Sequence, residues 1–331
     1  MNHPSAGSAP DDAGAFRRAY RRVYWARTDL PRWRELARIR TLVYLGGGGI
    51  GDSLNCSAVV HELNRREPGS VSLMTPHPEL YRGDPGIRSL HAYDYGLVES
   101  LRRWQRRVVH PVYRIPQEQP PRVPMPADHV VAQLCRSAGL TGGVDLRPYY
   151  HFQTGEKERF ASYAGAVVVQ SSCLNARHTL PAKNWPIERM QQVVDALRPH
   201  HRLVQTGHRD DLVLRGVEDL RGTLALREVA ALLAQARFFV GLVGFLMHLA
   251  RAVGTRAVIV YGGREHPLQS GYVANENLVG VAACAPCGID DECRIGHGCM
   301  QQILPAHVLA AVGRLETRLG ASLETAAVSL D

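Results

Sequence analysis

Lysine is almost absent from this 331-residue chain: its 39 basic residues are arginine except for Lys157 and Lys183. A lysine inside a motif is therefore more informative here than usual. Long apolar runs are missing too. The longest, residues 238–250, contains His248 and is followed by Arg251, and its ~13 residues fall short of the ~20 that a bilayer crossing requires. No spanning helix is expected. The first 16 residues are polar, carry proline and glycine, and lack the apolar stretch and small-residue cleavage site of an export signal, so a cytoplasmic location is expected. The seven cysteines are odd in number, with four between Cys284 and Cys299, which is unlike the even framework of a disulfide-stapled secreted domain. There is no repeat at periods of 20 to 50 residues and no low-complexity tract. At 45% hydrophobic and 21% charged residues, the chain is able to build two domains of roughly 150 residues, each with its own core.

The net charge of +8 is uneven: residues 1–40 hold nine arginines against Asp11, Asp12, Asp29 and Glu35. Arg17, Arg18, Arg21 and Arg22 are interleaved there with Phe16, Tyr20, Tyr24 and Trp25. Such an extension fits a helix packed on the body with a solvated arginine face, or a peripheral contact with an anionic membrane surface. Nucleic acid is a weaker fit. A second basic group, Arg102, Arg103, Arg106 and Arg107, would suit a phosphorylated or lipid-linked acceptor.

Residues 41–45 form a short β-rich run that ends in the glycine loop 46–52, and a helical pattern follows to about residue 66. This order opens a parallel α/β unit. Residues 71–74 and 87–93 read as further strands, and 110–126, with six prolines, as a surface connection. After Tyr149 and Tyr150 the alternation resumes. Strands are expected at 166–170, 202–206, 238–241 and 257–261, with helices at 186–197, 226–235 and 246–252. The fold class expected is thus α/β, with a basic extension (1–40) and two facing Rossmann-like domains (41–150 and 151–331) that leave a cleft for ligands.

Gly46, Gly48 and Gly51 match the dinucleotide fingerprint G-x-G-x-x-G. A nicotinamide site also needs an acid at the end of the second strand, where this chain has Met74-Thr75-Pro76, so an NAD-dependent oxidoreductase is a poor fit. The loop still brings backbone close to a ligand and puts Asp52 at a helix start. A carboxylate there serves as helix cap, as general base, or as both.

The chain is similar to glycosyltransferase family 9, the lipopolysaccharide heptosyltransferases. The likeness is carried by Gly49-Ile50-Gly51-Asp52, Lys183-Asn184-Trp185-Pro186, residues 226–233 with Phe239-Val240-Gly241, Met247-His248-Leu249-Ala250, and Cys284-Ala285-Pro286-Cys287 ahead of Cys293 and Cys299. The resemblance implies a GT-B arrangement and inverting, metal-independent transfer of a sugar, usually heptose from ADP-heptose, to a glycan, lipid-linked or protein acceptor. It implies Asp52 as base beside Gly49 and Gly51. For the donor it implies Lys183 on the phosphates and the 244–248 turn (Gly244, Phe245, Leu246, Met247, His248) at a helix start. A surface lysine and a buried core histidine remain the plain alternatives for Lys183 and His248. Where the family reads Asp-Thr-Gly or Asp-Ser-Gly, this chain has Val243-Gly244-Phe245, which leaves the donor sugar open. Arg264, after the last clear strand, is a further candidate phosphate contact, and Asp210 or Asp211 a candidate ribose contact.

Cys284, Cys287, Cys293 and Cys299, with His297 between the last two, suit either a structural zinc or iron or a set of free thiols. Cys56, Cys135 and Cys173 read as core residues.

Overall fold

The computed structural model describes residues 23, 27, 29–46, 48–114, 128–174, 183–288, 293 and 296–330. The interleaved part of the basic extension (16–25, apart from residue 23) and most of the proline-rich connection lie outside them. Among the described residues no helix is long and apolar enough to cross a membrane.

A first sheet holds β1 (Thr41–Tyr44), β2 (Val71–Met74), β3 (Ile87–His91) and β4 (Arg107–Val109), all parallel, in the order β3-β2-β1-β4. Around it lie α1 (Trp33–Arg38), α2 (Ile50–Asn55), α3 (Ser57–Arg66), α4 (Tyr95–Arg103) and α5 (Val130–Ser137). After the short strand β5 (Gly143–Asp145), a second sheet is built from β6 (Val167–Val169), β7 (Leu203–Gln205), β8 (Glu218–Asp219), β9 (Phe238–Leu242), β10 (Ala257–Gly262) and β11 (Glu276–Val279). Its order is β11-β10-β9-β6-β7-β8, again all parallel. The helices of this half are α6 (Ile187–Leu197), α7 (Leu226–Gln235), α8 (Phe245–Val253), α9 (Pro267–Ser270), α10 (Gly298–Gln301) and α11 (Pro305–Glu316). Strand β12 (Ala327–Ser329) returns to pair antiparallel with β5.

The central strands β1, β6, β9 and β10 are buried along their whole length, as strands covered on both faces must be, and for that reason they read as continuous apolar runs. Strands β4, β5, β8, β11 and β12 and helices α4, α5, α9, α10 and α11 escape the sequence reading. Apart from β11 these strands are only two or three residues long, which leaves little room for a period to show, and they lack the unbroken valine run that marks β6. One buried apolar cluster runs from Val43 and Leu73 through Leu54 and Tyr272 to Val168 and Ile259, joining the two sheets. Another packs Trp185, Met190 and Val308 on the other face of the second sheet.

Strand order reverses between β1 and β4 in one sheet and between β6 and β9 in the other. Ligands of open α/β sheets bind outside the carboxyl ends of the strands at such points. The segments leaving these four strands carry Asp52, Tyr113, Lys183 and Gly244.

Candidate active site

The glycine loop leaves β1 and turns directly into α2. Gly48 has φ +98°, and a Cβ there would lie 2.9 Å from Asp52 Oδ2, so only glycine lets the chain pass so close to the carboxylate. Asp52 stands in the first turn of α2, where its Oδ2 accepts the Gly49 N–H at 2.7 Å. The carboxylate therefore caps the helix. Its other oxygen, Oδ1, accepts the Tyr113 hydroxyl at 2.5 Å. Burial, then the Asp52 charge and this hydrogen bond, pushes the Tyr113 phenol up, so it stays protonated and donates. A cavity of about 330 Å³ opens here, lined among others by Tyr44, Asp52, Ser53, His110, Tyr113 and Leu134. Among the described residues Ser53 Oγ is buried with no hydrogen-bond partner.

On the second sheet, the residues after Lys183 fix its backbone. Asn184 Oδ1 accepts Cys173 N–H at 2.7 Å, Trp185 is 2% exposed and donates Nε1–H to Ile303 O at 2.9 Å, and Pro186 leads into α6. The ammonium meets Glu265, with Nζ 2.7 Å from Oε1. Arg264 Nη1 lies 3.3 Å from the same oxygen, and Ser270 Oγ donates to Oε2 at 2.6 Å. Burial opposes charge on Glu265, but the neighbouring Lys183 and Arg264 hold its carboxyl down to about 2. The motifs nominate Lys183 and Arg264 and miss Glu265, Tyr113 and Tyr272. Nothing local in the sequence marks these three except that Glu265 follows Arg264.

The N-terminus of α8 closes the cleft from below. A Cβ on Gly51 would sit 3.6 Å from both Phe245 Cα and His248 Cδ2, so the loop of the first half and the helix of the second lie in contact. His248 is 8% exposed, burial pushes its imidazole down to about 3, and its Nδ1 is 2.6 Å from the Tyr272 hydroxyl. The electrostatic neighbours of His248 include Glu265 and Lys183, and those of Tyr113 include Asp52, Glu265 and Arg264. Asp52, Lys183, Arg264 and His248 are thus linked in one electrostatic neighbourhood through Tyr113 and Glu265. Gly244 opens α8 with no side-chain cap on the first-turn amides. The Leu246 and Met247 side chains are buried at 6% and 0% exposure, so any part they take in ligand binding falls to their backbone.

Asp210 lies on the exposed loop after β7, 3.4 Å from His208 Nδ1. Asp211 is consumed locally, accepting from Ser172 Oγ, Leu174 N–H and His208 N–H. Gln170 Oε1 and Thr206 Oγ1, just past β6 and β7, are buried without partners among the described residues. Cys56 and Cys135 are buried, whereas Cys173 sits beyond the end of β6, with Sγ 3.9 Å from where a Gly244 Cβ would be. It is partly buried and packs against the edge of the second sheet's core, next to Gly244.

Cys284, Cys287, Cys293 and Cys299 form no disulfide. Burial raises the Cys299 thiol, and the other three act on it electrostatically. Cys293 Sγ accepts the His297 N–H at 3.2 Å. The donor set suits zinc or iron, yet among the described residues no three His, Cys, Asp or Glu side chains converge at metal-binding distance.

The profile described as Glycosyltransferase family 9 (heptosyltransferase) matches residues 116–296, more than half of the chain. The chain belongs to glycosyltransferase family 9. Several solved structures share the fold of this glycosyltransferase. The iron-containing dodecameric glycosyltransferase TibC from enterotoxigenic E. coli H10407 is 17% identical, with a TM-score of 0.64 over 85% of this chain and 77% of that one. ADP-heptose lipopolysaccharide heptosyltransferase II of E. coli is 18% identical, with a TM-score of 0.63 over 86% of this chain and 100% of that one. E. coli heptosyltransferase WaaC with ADP is 14% identical, with a TM-score of 0.55 over 83% and 99%. Comparison with curated protein sequences gives no match. The family 9 fold sets its two sheets in the facing GT-B manner, with Asp52 on one side of the cleft and Lys183 on the other.

Proposed function

We propose that this glycosyltransferase moves heptose from ADP-heptose, with inversion, to an acceptor hydroxyl on a lipopolysaccharide core or another glycan. The observation that carries the reading is the opposition of Asp52, in the cavity beyond β1, to Lys183 and Arg264 beyond β6 and β10. In the step proposed, the acceptor hydroxyl gives its proton to Asp52 as its oxygen bonds to the anomeric carbon. The bond from that carbon to the diphosphate breaks, and the electron pair leaves on the phosphate oxygen. Lys183, Arg264 and the first-turn amides of α8 stabilise that charge, so transfer is expected to proceed without a catalytic divalent ion. Asp210 is proposed as the contact of the donor ribose.

The donor assignment draws on the fold neighbours: heptosyltransferase II is an ADP-heptose transferase, and TibC has been solved with ADP-D-β-D-heptose. Val243-Gly244-Phe245 favours a second reading, transfer from another nucleotide sugar, because an acid and a hydroxyl are missing beside the sugar. The exposed arginines Arg102 and Arg107, with the basic extension, suit peripheral contact with an anionic membrane, and an acceptor borne on a lipid or a protein is compatible with the same surface. The four cysteines are proposed to hold a structural zinc or iron, as a thiolate set of this size can. The test of transfer is incubation with ADP-heptose and with UDP- and GDP-sugars, with and without EDTA, and assignment of the product anomer by NMR. An inverted heptoside formed in EDTA supports the proposal, and a retained anomer or strict metal dependence refutes it.

A further inference from the structure

Both side chains proposed to meet the donor diphosphate end on one carboxylate, that of Glu265. Two cations side by side in a buried site repel one another, and their burial is tolerable only if an anion lies between them. Glu265 meets that requirement: it is 5% exposed, accepts from Lys183 at 2.7 Å and Arg264 at 3.3 Å through Oε1, and is oriented through Oε2 by Ser270 at 2.6 Å. Ser270 Oγ is in turn 3.4 Å from the Tyr261 hydroxyl, which belongs to the buried strand β10. The carboxylate is therefore fixed to the sheet before any ligand arrives.

We infer that Glu265 is the positioning residue of the donor site, holding the Lys183 ammonium and the Arg264 guanidinium side by side to receive a diphosphate. The inference rests on the donor reading above. Lys183 is the cation that most needs such help. Its stem is long and flexible, and each freely rotating bond fixed on binding costs affinity. Asn184 and Trp185 pin its backbone, and Glu265 pins its tip. An ammonium has three protons to donate and a guanidinium five, so both keep donors for phosphate oxygens after binding Glu265. The trio carries a net charge of +1, complementary to the anionic diphosphate. Glu265 itself has its oxygens occupied and acts through the cations, not on the sugar.

The experiment is calorimetric titration of the full-length protein with ADP, inorganic pyrophosphate and adenosine. Wild type, Glu265→Gln, Lys183→Met and the double variant are compared, and the fold is monitored by thermal melting. Glu265→Gln is expected to weaken ADP and pyrophosphate by roughly tenfold or more, the scale of a charge-assisted contact, while adenosine binding stays unchanged. In the Lys183→Met background the same substitution should add less than about twofold, because coupled residues are not additive. Ser270→Ala, which removes only the orienting hydrogen bond, should move ADP affinity in the same direction by a smaller factor, and it serves as the test if Glu265→Gln does not fold. Unchanged or tighter ADP binding in Glu265→Gln, with Lys183→Met weakened, overturns the positioning role alone. Equal ADP affinity in wild type and Lys183→Met overturns the donor reading and the inference together.

Discussion

At Asp52, one carboxylate oxygen caps a helix and the other meets a phenol, so capping and base chemistry can be separated by substitution. Asn keeps an oxygen for the Gly49 N–H and gives up the ability to take a proton. Asp52→Asn should therefore fold and bind donor normally while turnover falls by roughly 10²-fold or more, the scale of a lost general base. Wild-type turnover in an assay limited by chemistry would reduce Asp52 to a cap. Tyr113→Phe removes the hydroxyl that orients Oδ1 and keeps the ring. Steady-state kinetics should show a severalfold lower kcat with an unchanged KM for the donor, and a changed donor KM with normal kcat would contradict that role. Asp52, Lys183, Arg264 and His248 are legible in the sequence because each sits in a local motif next to a turn. Tyr113 and Glu265 are not. They owe their roles to contacts 61 residues away on Asp52 and across the fold on Lys183, which no local spacing encodes.

Two elements carry the site's rigidity, and both are only partly readable in advance. In Lys183-Asn184-Trp185-Pro186 the sequence shows a helix start. The reason for the tryptophan appears only in three dimensions, where the indole fills the core beneath α6 and satisfies Ile303 O. Trp185→Ala should lower stability by about 3–5 kcal/mol in chemical denaturation, the usual cost of emptying an aromatic core site. A loss below ~1 kcal/mol would contradict this packing role. Cys299 is packed tightly as well: a Cβ on Gly263 would come 2.8 Å from its Sγ. If the thiols hold a structural metal, elemental analysis of protein purified under reducing conditions without chelator should find about one zinc or iron per chain. Fewer than ~0.2 would leave the thiols as packing groups. The apolar strands β1, β6, β9 and β10 are legible because burial on both faces imposes an unbroken apolar run. Strands β5 and β12 are hidden because each makes sense only beside the other, far apart in the chain.

Across the whole molecule, the two halves are joined by neutral, buried groups. His129 accepts Val131 N–H on Nδ1 and donates Nε2–H to Gly271 O, and the Tyr272 hydroxyl lies between His248 and Asn55. Arg227 adds a latch, pairing with Glu156 and donating to the carbonyls of Glu79 and His151. Burial pushes His129 from 6.5 down to about 4 and His248 from 6.5 to about 3. The unfolded chain therefore takes up these protons first, and stability should fall as pH drops from about 6.5 toward 4. Glu265, held down from 4.5 to about 2, adds a further loss between those values. Melting temperature against pH should show the first decline, and His129→Asn should make it shallower; a flat profile from pH 7 to 4.5 would contradict a neutral, buried junction. The measurement that tests the central claim most directly is the thermal shift of the wild-type protein with ADP, ADP-heptose, NAD and a short DNA duplex, repeated on Lys183→Met. Stabilisation by ADP-heptose and ADP that is lost in the variant is expected. Stabilisation by NAD or DNA alone would contradict a nucleotide-sugar transferase built around Asp52 and Lys183.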